Sequence, residues 1–176
     1  ATKEANPDFL QQVFAANQML WLFGLETTEI WYDSGAVAFP FQRYQGGGVL
    51  EVGISFHYSV CKVGDSLMWV GRDGRGQNVV YQSRGMQYQR VSNHAVEASL
   101  NSVLAGNGVG IAYSYQENGH TFYVLNSGVV PSGIDITWAY DLTTGEWHER
   151  GLWDGAAYHR QNWQYHTMAF FERNAV

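Results

Sequence analysis

Cysteine, proline, lysine and charge of either sign are all scarce in this sequence of 176 residues, and each shortage excludes something. The single cysteine, Cys61, has no partner for an internal disulfide, so nothing requires an oxidising compartment and a reducing site of synthesis fits. Proline occurs 3 times against 20 glycines, and 45% of the residues are hydrophobic, which excludes a disordered chain. Lys and Arg number 10 against 16 Asp and Glu, for a net charge of -6; the only lysines are Lys3 and Lys62, and the arginines are scattered. A broad phosphate-neutralising patch is therefore not expected, nor sequence-specific binding of nucleic acid. No stretch runs to eighteen apolar residues, and Ala1 to Asp8 is polar and acidic, so neither a membrane span nor a secretion signal is expected. The chain does not begin with methionine, from which a processed or trimmed protein is expected.

What the chain does have is aromatic residues: 7 Trp, 11 Tyr and 9 Phe. They recur in order. Three times the sequence runs through an apolar aromatic strand, a second strand ending in an aromatic, a tight polar turn and a short strand carrying Arg. The first copy is Met19-Leu20-Trp21-Leu22-Phe23, Glu29-Ile30-Trp31-Tyr32-Asp33, Ser34-Gly35 and Phe41-Gln42-Arg43-Tyr44. The second is Ser66-Leu67-Met68-Trp69-Val70, Val79-Val80-Tyr81-Gln82, Arg84-Gly85 and Tyr88-Gln89-Arg90-Val91. The third is Thr121-Phe122-Tyr123-Val124-Leu125, Thr137-Trp138-Ala139-Tyr140-Asp141, Thr144-Gly145 and His148-Glu149-Arg150. Trp21, Trp69 and Tyr123 lie about 48 and 54 residues apart, and Arg43, Arg90 and Arg150 about 47 and 60. A leading strand precedes each copy, at Val13 to Gln18, Tyr58 to Val63 and Ile111 to Gln116.

Four hairpin-linked strands in about 50 residues is the content of a β-propeller blade. The expected fold is all-β: about three four-stranded antiparallel blades plus a fragment of a fourth, an open arc. Blade one is expected over 8–50, blade two over 51–92, a connector over 93–110 and blade three over 111–151. Residues 152–176 would form a connector and the first strand of a further blade, opening at Met168-Ala169-Phe170-Phe171. Asp73-Gly74, Asn118-Gly119 and Thr144-Gly145 supply positive-φ residues for tight turns. A short helix is expected within Ser92 to Val103, capped by Ser92, with Ala95, Val96, Ser99, Leu100 and Val103 on one face. An ordinary antiparallel sandwich is the alternative. Because closed propellers need about four to eight blades, the end blades of an arc should expose flat apolar faces that another blade, copy or partner must cover.

Chemistry-bearing patterns are few. Val70-Gly71-Arg72-Asp73-Gly74-Arg75-Gly76 is glycine-rich but lacks the helix and Lys-Ser/Thr of a phosphate cradle, and reads as a hairpin loop. His148-Glu149 has no second His four residues on, and His57, His94, His120, His159 and His166 lack metal-ligand spacing, so no metal or cofactor is expected. Cys61 has no activating neighbour. Asp141, Glu146 and Glu149 cluster, yet the arginines recurring near them argue for structural ties, and no catalytic residue is expected. Ser132-Gly133-Ile134-Asp135-Ile136-Thr137-Trp138 is similar to the sialidase Asp-box but lacks its glycine after the Asp. Trp153 and Trp163, in the polar final connector, are the candidate exposed platforms for a sugar or single-stranded nucleic acid, with core packing the preferred reading for both.

In combination, Thr28-Glu29-Ile30-Trp31-Tyr32-Asp33-Ser34-Gly35 with Phe39-Pro40-Phe41-Gln42-Arg43, Gly64-Asp65-Ser66-Leu67-Met68-Trp69-Val70-Gly71-Arg72, Gln89-Arg90-Val91-Ser92-Asn93-His94-Ala95, Gly119-His120-Thr121-Phe122-Tyr123-Val124-Leu125 and Thr137-Trp138-Ala139-Tyr140-Asp141 leading to Gly145-Glu146-Trp147-His148-Glu149-Arg150 resemble a known family. It is that of the packaged-DNA stabilisation proteins, or tail accessory factors, of short-tailed bacteriophages. The resemblance covers about Asp8 to Glu172 and implies an internal section of a longer, non-enzymatic structural protein. It further implies copies assembled in a ring, contacts with portal, adaptor and distal tail proteins, and a place in the virion tail after synthesis in the bacterial cytoplasm. The alternative function is a carbohydrate-binding or glycan-cleaving propeller.

Overall fold

The computed structural model describes residues 8–105, 109–129, 134–159, 170–171 and 174–175. Three antiparallel sheets follow one another along the chain, each a simple meander. The first comprises β1 (Leu10–Ala16), β2 (Met19–Gly24), β3 (Thr28–Asp33) and β4 (Phe41–Arg43), with β5 (Val49–Leu50) on the same edge of β3 as β4. The second comprises β6 (Cys61–Val63), β7 (Ser66–Arg72), β8 (Asn78–Arg84) and β9 (Gln87–Arg90). After the helix α1 (His94–Ala105) comes the third, β10 (Val109–Glu117), β11 (His120–Val129), β12 (Ile134–Asp141) and β13 (Glu146–Arg150). Two small hairpins follow: β14 (Leu152–Trp153) with β15 (Tyr158–His159), and β16 (Phe170–Phe171) with β17 (Asn174–Ala175). Met168 and Ala169, read as the start of that last strand, lie outside the described residues.

The alternation of side chains in the strands explains why the sheets stack. In β7, Leu67 and Trp69 join a core shared with Trp21, Phe23 and Ile30 of the first sheet, while Met68 and Val70 join one shared with Tyr123, Leu125 and Trp138 of the third. Successive residues of a strand point to opposite faces, so a strand apolar on both faces belongs between two others. The second sheet is the middle blade. The fold is thus the all-β, propeller-type stack of three sheets expected from the repeats.

Segment 51–60, expected to open blade two, is instead a strap bonded to all three sheets. The Ile54 amide donates to Gly24 O at 2.8 Å and the Ser55 amide to Val70 O at 2.8 Å. Ala112 N reaches Tyr58 O at 2.9 Å, and the buried Tyr123 hydroxyl donates to Ser59 O at 2.8 Å. These last bonds, with a parallel bridge between Tyr58 and Ile111, bring the leading edges of the second and third sheets together.

Several expectations need correction. The anchors share an order but not a register: Trp21 faces Ile30, whereas Trp69 faces Tyr81 and Tyr123 faces Tyr140. Tyr32 instead faces Met19. Asn17 and Gln18, read as strand, form the first hairpin turn with φ of 52° and 61°. In the β7–β8 loop the positive φ, 78°, falls at Gly76 and not at Gly74. The helix spans 12 residues, and its cap is Asn93, whose Oδ1 accepts from the Val96 amide at 3.0 Å. Ser92 serves the sheet, accepting from Val80 N at 3.0 Å and donating to Glu97 at 2.7 Å.

The end faces are covered in part, with Val37, Phe39 and Phe41 left exposed on the first sheet. On the first sheet Leu22, Glu29 and Trp31 are buried, with the Trp31 indole donating to Glu29 at 2.9 Å and Phe39 standing edge-on to Trp31. On the third, Tyr113, Tyr115 and Phe122 pack over Val124 and Ala139, both wholly buried. Large rings on these strands close over their own small neighbours, which a residue count of apolar faces does not foresee.

Candidate functional site

The arginines expected at equivalent positions do three different things. Arg90 on β9 makes a two-pronged ion pair with Glu97 of α1, through Nε at 2.7 Å and Nη2, tying the outer strand of the middle sheet to the helix. Arg150 lies over the Phe122 ring, 5.6 Å from its centre. Arg43 faces Trp31, whereas Arg90 faces Tyr81 and Arg150 faces Thr137. The structural tie anticipated from the repeat is realised at Arg90.

The glycine-rich loop after β7 closes on itself. Asp73 Oδ1 accepts from the amides of Arg75 and Gln77, each at 2.9 Å, so its own carboxylate occupies the place an anionic ligand would need. Among the described residues no group of three His, Cys, Asp or Glu is placed to hold a metal ion. His57 is bonded to Gln11, and His94 is the exposed first residue of α1. His159 lies on β15, and His166 lies outside the described residues. Cys61 is half-buried, and burial pushes its thiol up, against a smaller opposing effect of a bond with Ser114.

His120 does acquire a partner. Its Nδ1 lies 2.6 Å from Asp141 Oδ2, and Asp141 also accepts from the Thr143 amide at 2.8 Å and the Thr144 hydroxyl at 3.1 Å. Burial pushes the Asp141 carboxyl up, but these donors outweigh it and hold it below the usual carboxylate range. The pair borders a cleft of about 360 Å³ lined also by Phe122, His148, Glu149 and Arg150. Asp141 pairs with Glu146 across β12 and β13, whereas Glu149 pairs with Trp138 and its side chain takes the opposite face. Beside the cleft, Trp153 and Tyr158 face each other across β14 and β15, exposed by 66% and 53%. Trp153 is thus an exposed ring and not the core residue preferred from the sequence; Trp163 lies outside the described residues.

A surface that the sequence reading passed over lies on the first sheet. Between β3 and β4 the chain Ala36-Val37-Ala38-Phe39 is exposed, with Val37 and Phe39 at 105% and 61%. The loop is closed at its base by Ser34, whose amide and hydroxyl both donate to Pro40 O, at 2.6 and 2.7 Å. Phe39 contacts Phe41 ring to ring at 6.2 Å, whereas Tyr44 stands against Tyr32 on the other face of the sheet. The signal was present in the run from Ala36 to Phe41, apolar through a turn where side chains are ordinarily polar. The leading strands β1, β6 and β10, by contrast, carry only Lys62 and Glu117 as charges.

The family model described as "Phage_stabilise: Bacteriophage P22 Gp10, beta-propeller" matches residues 1–175 of the chain. No curated protein matches the sequence.

Proposed function

The chain belongs to the Bacteriophage P22 Gp10 beta-propeller family, and from that premise we propose that it is a non-enzymatic structural component of the phage tail. In this reading copies join in a ring with portal, adaptor and distal tail proteins, extend the channel below the portal, and help retain packaged DNA. The protein is made and assembled in the bacterial cytoplasm and ends in the virion tail.

The observation that carries the reading is the exposed strip of Val37, Phe39 and Phe41. Contiguous exposed rings are costly on a solitary soluble protein and are ordinary at the centre of a stable interface.

Sedimentation of the wild type against the double variant Phe39→Ser, Phe41→Ser tests the assembly. Concentration-dependent association, with a purified portal–adaptor complex or between copies, is expected for the wild type and should be lost in the variant. A wild type that stays monomeric at tens of micromolar and ignores that complex, or a variant that associates equally well, rejects the reading.

A further inference from the structure

We propose that the outer edge of the third sheet, from the β14–β15 hairpin to the adjoining cleft, binds a neutral oligosaccharide. Two rings stand there on one face, because directly opposed residues of an antiparallel pair point the same way. Trp153 and Tyr158 are both more than half exposed. Their hairpin is held stiff: Asp154 Oδ1 accepts from the amides of Ala156 and Ala157 at 2.8 and 2.7 Å, and Gly155 takes the φ of 99° that the turn demands. An exposed aromatic pair on a rigid support loses little entropy when a flat apolar ligand face settles on it. The faces of pyranose rings, with their axial C–H groups, are such surfaces.

The cleft supplies the polar half of the site. Tyr158 Oη lies 3.5 Å from the Glu149 carbonyl, which joins the hairpin to the strand that borders the cleft. His120 is held through Nδ1 by Asp141, so the ring is fixed in orientation and Nε2 is the nitrogen left for a ligand. His148 and Arg150 alternate onto the same side of β13, where they add an imidazole and a guanidinium. Glu149 alternates to the other face of β13 with Trp138, so the side chains offered here are the His120 and His148 imidazoles, the Arg150 guanidinium and the Asp141 carboxylate. Donors and an acceptor side by side suit the hydroxyls of a sugar. A volume of about 360 Å³ accommodates one or two sugar units.

The test titrates the full chain with maltohexaose, cellohexaose and chitohexaose by calorimetry, with sialyllactose and a dodecamer of DNA as charged controls. At least one neutral hexaose should bind, and Trp153→Ala should weaken it by roughly tenfold or more. Tyr158→Ala should act likewise, while circular dichroism and the melting midpoint stay unchanged because both rings are exposed. No binding by any of the three hexaoses overturns the proposal, as does binding that ignores both substitutions or is confined to the charged controls. A Trp153→Ala protein that instead loses association with copies or tail proteins would assign the rings to a protein contact and also overturn it. Because the Phe39 and Phe41 variant leaves this edge intact, failure here and failure of the assembly reading are separable.

Discussion

Trp69 touches Trp21, Phe23 and Tyr81 with ring centres 5.4 to 6.2 Å apart and has no exposed surface. Truncation to alanine removes the ring that joins the first two sheets, so Trp69→Ala should cost about 3–5 kcal/mol in urea unfolding. Tyr81, in the same cluster, titrates abnormally. Burial first, then the charge of Asp73, pushes its phenol up to about 12. The folded protein therefore keeps a proton that the unfolded chain releases near pH 10, and stability should fall as pH rises from about 10 to 12. Tyr81→Phe should flatten part of that alkaline limb, measured as urea midpoints at pH 8 and 11. Asp141 acts at the other extreme, with the opposite sign. Its carboxyl is held low in the fold, so its contribution is present above the unfolded value near 4 and disappears as pH falls through the folded one. Asp141→Asn should be less stable than the wild type at pH 6, and the difference should shrink towards pH 2.

At the scale of elements, hairpins were the most legible part and registers the least. Asn118 and Gly119, with φ of 51° and 83°, make the two-residue turn that their identities demand, and Gly145 likewise turns where it was expected. The hairpin of β11 and β12 is long because its strands stay paired out to Val129 and Ile134. The first sheet was harder to read because its fourth strand is broken. Tyr44 to Gly48 bulge out between β4 and β5, with the Ile30 amide and carbonyl bonded to Gly48 O and Tyr44 N, and a Cβ at Gly48 would sit 2.3 Å from Tyr44 O. Arg43 faces Trp31, one position on from the Ile30 that faces Trp21, whereas Trp69 and Arg90 face the same Tyr81, so the spacing of like residues could not report the pairing. The helix was legible by its buried Val96, Leu100 and Val103, while its cap was not, since Ser92 and Asn93 both suit the role. Only tertiary bonds separate them. Asn93→Ala should therefore cost about 1 kcal/mol through the lost cap, measurable by chemical denaturation.

For the whole molecule, the decisive feature is the strap at 51–60, and nothing local announces it. Glu51-Val52-Gly53-Ile54-Ser55 alternates like an ordinary strand, yet its hydrogen bonds are divided between sheets: Thr28 Oγ1 donates to Val52 O at 2.7 Å, Ile54 N to Gly24 O and Ser55 N to Val70 O. The three-sheet stack could be inferred from strands apolar on both faces, but a segment that bonds to all three sheets is specified by non-local partners alone. The exposed surfaces divide the same way: Trp153 could be singled out as a tryptophan in a polar connector, though not as exposed, and the Phe39 strip only once the loop was seen to stand clear. Gly53 marks the tightest point of the strap. A Cβ there would fall 2.3 Å from the Leu25 carbonyl carbon and 2.4 Å from Gly24 O, distances that backbone cannot yield without moving apart. Gly53→Ala must then lift the strap from the first sheet and lengthen the Ile54 to Gly24 bond. The expected loss is about 1–3 kcal/mol, with faster hydrogen exchange at Ile54 than at Ser55, whose bond runs to the second sheet. Were the strap merely a loop laid over independent blades, the same substitution would stay within about 0.5 kcal/mol and leave both amides unchanged.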